Sequence, residues 1–213
     1  AKTDTLVDTE AIGAFIDPKD ARSFSMRDQK SKLTLRASDN SELIYEDVHL
    51  PKDTLLPKSG GIKSPLMCLT QARYGIAWGA IGAAMACYDE ALSYSKNRVM
   101  FGRPIGQTQI QQVRLAEMLT EITKAQLLTL QLGRLKDAGT MLPEQVSLAK
   151  RNNVNMATEC AREARRLLGA NGILVEYHSM RHMADLESFY TYAGTHVPHA
   201  SLLWHAVTGR SAF

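Results

Sequence analysis

The chain has 213 residues, of which 45% are hydrophobic and 22% charged, with a formal net charge of +3. That length holds one large domain or a domain plus a smaller piece, and the balance is that of an ordinary globular protein. The mild charge permits an anionic ligand such as a nucleotide cofactor but does not supply the dense basic face that nucleic acid wants, and no apolar run approaches the roughly eighteen residues of a membrane span.

The first 57 residues read as strands and turns. "AIGAFID" (11–17), "SKLTLR" (31–36) and "SELIYEDVHL" (41–50) are short, and the last two partly alternate. "DPKD" and "ASDN" separate them as turns. So few strands cannot cover both faces of a sheet, so we expect residues 1–57 to be the second half of an antiparallel β-domain. The N-terminal "AKTDTLVD" carries no signal or transit pattern, which settles nothing about processing. Residues 58–64 lie within a Gly- and Pro-punctuated stretch and read as a linker.

From residue 65 the pattern becomes helical. Residues 65–97 are rich in Ala, Leu and Met, side chains that lose little freedom in a helix. Residues 107–138 place Leu115, Met118, Leu119, Ile122 and Ala125 at helical spacing. "AGTMLP" breaks the pattern, residues 143–168 resume it, and Gly169 is a natural stop. Shorter helices are predicted over about 177–188 and 195–209. The expected fold is therefore mainly α: a helix bundle over 65–213 preceded by the partial β-domain.

The candidate chemistry lies in the connections. "RVMFGRPIGQTQ" (98–109) joins two long helices. Arg98 and Arg103 flank a Phe-Gly turn and Gln109 opens the next helix, an arrangement suited to a diphosphate or, equally, to a plain turn with solvated arginines. "LLGANGI" (167–173) is either a backbone approach to a cofactor or a helix cap. "ARYGIAWG" (72–79) sets Arg73 and Tyr74 beside small residues, as a ligand-facing helix end or a tightly packed one. In "TYAGTH" Thr195 is placed to cap the last helix and leave its first amides facing a ligand. His178 and His182, and His196 and His199, have helical spacing, but no carboxylate or cysteine pattern completes a metal site. Cys68, Cys87 and Cys160 are scattered, as in a reducing compartment, and Cys160 reads as a small core residue.

Singly these signals are weak, but their order is specific. "ARYGIAWG", "RVMFGRPIGQTQ", "VSLAKRNN", "LLGANGI", "EYHSMRH" and "TYAGTH" follow at the intervals of one family. The chain resembles the C-terminal half of an acyl-CoA dehydrogenase over essentially its whole length, most strongly from 72 to 195. "ARYGIAWG" and "LQLGRLKD" point to the glutaryl-CoA dehydrogenase branch. The resemblance implies an oligomer, a homotetramer in the family, that binds FAD between a β-domain and a helical domain. A glutamate takes the α-proton of an acyl-CoA, the flavin accepts hydride from the β-carbon, and an electron-transferring flavoprotein reoxidises it.

Carried onto this chain, Arg98, Phe101 and Gln109 would meet FAD, often across a subunit interface. Gly169 and Gly172 would approach its nucleotide portion, and Thr195 would lie against it. Arg73 and Tyr74 would line the acyl-CoA site, and the Gly194 amide would meet the thioester carbonyl. The family pattern Tyr-Glu-Gly-Thr is here Tyr192-Ala193-Gly194-Thr195, so Ala193 stands at the base position and no catalytic residue remains. Glu187 is a candidate substitute, six residues upstream. Ala170 in place of a second glycine and His205 in place of an arginine are further departures. Two expectations follow. One is a catalytically impaired scaffold subunit of a larger assembly, in the mitochondrial matrix for a eukaryotic source and cytoplasmic otherwise. The other is one half of a split FAD-dependent dehydrogenase acting on a short acyl-CoA or glutaryl-CoA with a partner chain.

Overall fold

The computed structural model describes residues 13–16 and 23–210. It divides into two compact units, with the boundary between Gln71 and Ala72. In the first unit, strands Phe24–Asp28 (β1) and Ser41–Tyr45 (β2) pair antiparallel, with Phe24 opposite Tyr45 and Asp28 opposite Ser41. The Phe24 and Tyr45 rings meet at 5.1 Å between centroids, a cross-strand aromatic pair of the kind that fixes register.

The strand expected over 31–36 is a loop. Leu33 is 90% exposed. The Lys32 ammonium folds the segment round itself by donating to the carbonyls of Leu35 and Ser38 and to Asn40 Oδ1. Two leucines in alternation mimicked a strand, whereas the pairing went to 24–28. The strand expected over 41–50 stops at Tyr45, two residues before Asp47 turns left-handed at φ 50. Of the strand expected over 11–17, Phe15 forms a single antiparallel bridge to Leu55. Residues 11, 12 and 17 lie outside the described residues.

The helices are Lys63–Asn97 (α1), Gln109–Asp137 (α2), Pro143–Leu167 (α3), Ser179–Thr191 (α4) and His196–Thr208 (α5). The bundle expected from the sequence is present, and the protein is mainly α. Strands Val99–Met100 (β3) and Arg103–Pro104 (β4) make a tight hairpin between α1 and α2. Its turn residues Phe101 and Gly102 both have positive φ (52 and 75), the pattern of a type I′ turn.

Helix α1 buries Ala77, Ala80, Ile81, Ala84, Cys87 and Ala91, mostly small side chains that let a neighbour come close. Helix α2 buries Leu115, Met118, Ile122, Ala125, Thr129 and Leu132, alternating steps of three and four as in a coiled-coil seam. Leu119, expected in that stripe, lies one step round the helix and is 48% exposed. Helix α3 packs against α2, α4 and α5, so it carries buried residues on most of its circumference. Cys87 and Cys160 are buried free thiols whose pKa burial pushes up to about 12, leaving them protonated and inert.

Two polar devices tie the helices together. Asn153 on α3 is fully buried and donates to Ala77 O on α1 (3.0 Å) and Thr129 Oγ1 on α2 (2.6 Å). Glu90 on α1 reaches the start of α4, accepting from His178 N (2.7 Å), Ser179 N (2.9 Å) and Ser179 Oγ (2.5 Å). It thereby satisfies amides that helix geometry leaves free. Burial pulls the Glu90 carboxyl upward, but the bonds from Ser179 and His178 outweigh it and the net shift is downward.

Candidate functional site

The turn between α4 and α5 is made by Tyr192, Ala193, Gly194 and Thr195. Ala193 and Gly194 both lie in the left-handed region, at φ 51 and 96. For a residue with a Cβ that conformation costs about 1–2 kcal/mol, so something must hold it. Two cationic side chains do. Arg73 Nε, three turns into α1, donates to Ala193 O at 2.9 Å. Lys150 Nζ, two turns into α3, donates to Gly194 O at 2.8 Å. His199, one turn into α5, closes the group from below. A Cβ added to Gly194 would lie 3.0 Å from His199 Nε2 and 3.2 Å from Arg73 Nη2, so neither the backbone angle nor the space admits a side chain there.

The electrostatics of this cluster are one-sided. Lys150 and His199 are both fully buried. Among the described residues no carboxylate lies within ion-pair distance of Lys150 or Arg73. Burial, with Arg73 nearby, lowers the Lys150 pKa to about 8. Burial, then the charges of Lys150 and Arg73, lowers His199 to about 4, so the imidazole is neutral at pH 7. A weak contact of the ring with the Gly194 backbone opposes this shift without reversing it. His196 is also buried, stacks on Tyr190 at 3.7 Å, and is shifted downward mainly by burial. Helix α5 adds the positive end of its dipole, with no acidic residue in its first turn and no side-chain cap. Thr195 stands at the N-cap position, but its hydroxyl makes no capping bond, contrary to the expectation that it caps α5. The arrangement favours negative charge, either on a ligand oxygen or on a carboxylate carried by the turn.

Tyr74 does not join the turn. Its ring packs toward the end of α2, where Lys136 Nζ sits 5.7 Å from the ring centroid and Gly133 leaves room for the hydroxyl. Gly79 of the same "ARYGIAWG" stretch faces Phe189 on α4, 3.2 Å from where its Cβ would be, and Phe189 in turn meets the Tyr192 ring at 5.4 Å. Tight packing explains that glycine. Glu187 is exposed on α4, one helical turn before Thr191.

A second group of predicted residues gathers at the far end of α1. Arg98 follows the helix directly, Phe101 tips the hairpin at 98% exposure, and Gln109 opens α2. The first turn of α2 has no acidic residue and no side-chain cap, so its amides and the exposed Arg98 and Arg103 offer an anion-binding end. Gln111 Oε1 nearby is buried without a partner. Asn171 Nδ2 donates to Tyr94 Oη at 3.0 Å and ties the 169–173 turn to the same end of α1. Gly169 is exposed there with φ 61 and ends α3 as a cap. Gly172 is buried, and a Cβ would fall 2.3 Å from Arg165 O, so its bare Cα is required by contact within the chain.

Arg73 and Arg98 are 25 positions apart, along α1 and just past its end, about 37 Å at 1.5 Å per residue. The residues expected from the sequence thus fall in two places along α1, one about a third of the way in at Arg73 and one just past its C-terminal end at Arg98, and Thr195, expected with the FAD residues, lies at the first. The sequence reading missed Lys150, whose signal was a lysine interrupting the stripe Val146, Ala149, Asn153, Val154, Ala157. Neither histidine pair forms a metal site: among the described residues no group of three or more His, Cys, Asp or Glu could hold an ion. Nor is any described helix long and apolar enough to cross a membrane.

The profile of the acyl-CoA dehydrogenase C-terminal domain matches residues 59–204. Human mitochondrial short-chain specific acyl-CoA dehydrogenase is 33% identical over 196 residues, covering 92% of this chain and 48% of the human protein. A crystal structure of glutaryl-CoA dehydrogenase from Mycobacterium smegmatis superposes with a TM-score of 0.92 at 49% identity, covering 94% of this chain and 52% of that one. A second Mycobacterium smegmatis glutaryl-CoA dehydrogenase structure, in complex with FADH2, gives a TM-score of 0.93 at 43% identity over 96% of this chain and 53% of that one. The chain therefore spans about half the length of the relatives it matches.

Proposed function

The chain belongs to the acyl-CoA dehydrogenase family, matching its C-terminal domain over residues 59–204, and from that premise we propose that it builds the helical side of an FAD- and acyl-CoA-binding cleft while lacking the base that drives turnover. One observation carries the reading. The 192–195 turn keeps a strained left-handed backbone, held by Arg73 and Lys150, around a residue whose side chain is only a methyl. The geometry is one that aims a side chain, and the side chain it aims cannot accept a proton.

The residues fit the cofactor in kind. The open α2 start with Arg98 and Gln109 suits a diphosphate, and Phe101 offers a flat apolar surface beside it. Thr195, with a free hydroxyl at the start of α5, suits a polar edge. Bound FAD would supply the hydride acceptor. The two groups are about 37 Å apart along α1, farther than one dinucleotide reaches. We therefore read each cleft as shared between two copies, with Arg98, Phe101, Gln109 and the 169–173 turn from one and Arg73, Gly194 and Thr195 from the other. The Arg73 charge and the α5 dipole would stabilise negative charge on a thioester oxygen held at the turn. The scaffold role in an oligomer, mitochondrial for a eukaryotic source, follows from the same reading.

The experiment pairs the wild type with Ala193→Glu. Both proteins should hold stoichiometric FAD. Loss of flavin absorbance on adding butyryl-CoA or glutaryl-CoA should be near background in the wild type. In the variant it should rise by about 10² to 10⁴, the usual weight of a general base. Wild-type turnover equal to that of the variant would overturn the impaired-subunit reading in favour of a working enzyme. Colourless protein that takes up no FAD would overturn the cleft itself.

A further inference from the structure

A buried lysine with one carbonyl as its partner calls for an explanation. Lys150 is fully enclosed, no carboxylate pairs with it among the described residues, and its one hydrogen bond goes to Gly194 O. Burying an ammonium this way is costly, and a methionine would fill the same volume without charge. What the ammonium does that a methionine cannot is grip a carbonyl. A trans peptide is planar, so fixing a carbonyl also fixes the next N–H on the opposite side. Arg73 fixes the 193–194 peptide and Lys150 the 194–195 peptide. Between them both planes that follow residue 193 are set.

We propose that Lys150 is a positioning residue. With Arg73 it fixes the peptide planes on either side of residue 194; because the chain enters from α4 with Tyr192 N held by Ser188 O at 2.9 Å, residue 193 is confined to the left-handed region between these anchors, and the direction in which its side chain leaves the backbone is set. The proposal rests on the functional reading only for what that direction is used for; the clamp itself is a property of the fold.

A double-mutant cycle tests it without ligand. Glycine relieves the left-handed strain at 193 but gains freedom when unfolded. With the clamp intact, relief wins, and Ala193→Gly should lower the unfolding constant about three-fold. In Lys150→Met the turn is free to leave the left-handed region, relief disappears, and the same change should raise the constant about three-fold. The expected coupling is thus about ten-fold, read from urea unfolding. Independent sites add within about two-fold, so an Ala193→Gly effect that is the same in both backgrounds would overturn the proposal.

If Lys150→Met does not fold, pH supplies the second measurement. Above about 8 Lys150 exchanges its ammonium for a neutral amine, whose hydrogen bond to Gly194 O is about half as strong, so the Ala193→Gly benefit should be present at pH 7 and shrink by pH 9.5. Around it lie Arg73, Arg151, His196, His199 and Tyr192; burial lowers Arg73 and both histidines below their ordinary ranges and raises Tyr192 above its own. A benefit unchanged at pH 9.5 would count against the clamp. Ala193→Glu then separates this from the functional reading. If butyryl-CoA bleaches that variant, adding Lys150→Met should reduce bleaching at least ten-fold with FAD content unchanged, and an unreduced rate overturns the proposal. If the variant does not bleach with Lys150 intact, the functional reading fails and the unfolding cycle still decides the clamp.

Discussion

Acidification should reveal His199 as a buried base. Its pKa falls from 6.5 to about 4 on folding, because burial and the charges of Lys150 and Arg73 oppose the imidazolium. Between those values the unfolded chain binds more protons than the folded one, so stability rises with pH across the window and is lost as pH falls through it. The full shift corresponds to about 3 kcal/mol. Between pH 7 and pH 5 the loss amounts to about 2 kcal/mol. His199→Leu removes the titration while filling similar space. Since the ring makes only a weak contact with the Gly194 backbone, the variant should lie within about 1 kcal/mol of wild type at pH 7. Urea unfolding of both proteins at pH 7 and pH 5 checks this. The wild type should lose about 2 kcal/mol more than His199→Leu. Parallel losses would show that His199 is not held neutral by its neighbours, and the account of a one-sided positive cluster would fail with it.

Two further outcomes follow from contacts in the bundle. Glu90→Gln keeps the shape of the α1–α4 tie but removes its charge, and should cost about 1–2 kcal/mol by thermal or urea unfolding at pH 7. Because the Glu90 pKa is lowered in the fold, that contribution is present above the unfolded value and lost as pH falls through the folded one, so the two stability curves should converge in acid. Gly172→Ala would drive a methyl into Arg165 O, backbone against backbone, and should cost about 3 kcal/mol or more. Equal stability of Gly172→Ala and wild type would place the 169–173 turn elsewhere.

The helices were legible because their apolar residues recur with the helix period and their ends carry Pro, Gly or polar residues, as at Pro143 and Gly169. The strands were less so. "SKLTLR" alternates convincingly yet forms a loop, because Lys32 draws three oxygens round itself, an interaction no periodicity encodes. The turn at 192–195 was legible from the order of motifs, and Ala193 stood out against them. Its supports were not. Lys150 sits where a core residue belongs, and only the folded chain shows that a carbonyl from 44 positions away waits there. Tyr74 shares a motif with Arg73 but points about 100° round the helix, toward α2.

The length of α1 has a genetic consequence. If two copies pair about a two-fold axis, each of the two clefts draws its Arg98 end from one chain and its Thr195 end from the other. A chain damaged at Arg98 mixed with a chain damaged at Thr195 then assembles one cleft with both lesions and one with neither. Two loss-of-binding alleles would complement each other, and the mixed assembly would recover half the wild-type cofactor load that neither parent shows alone.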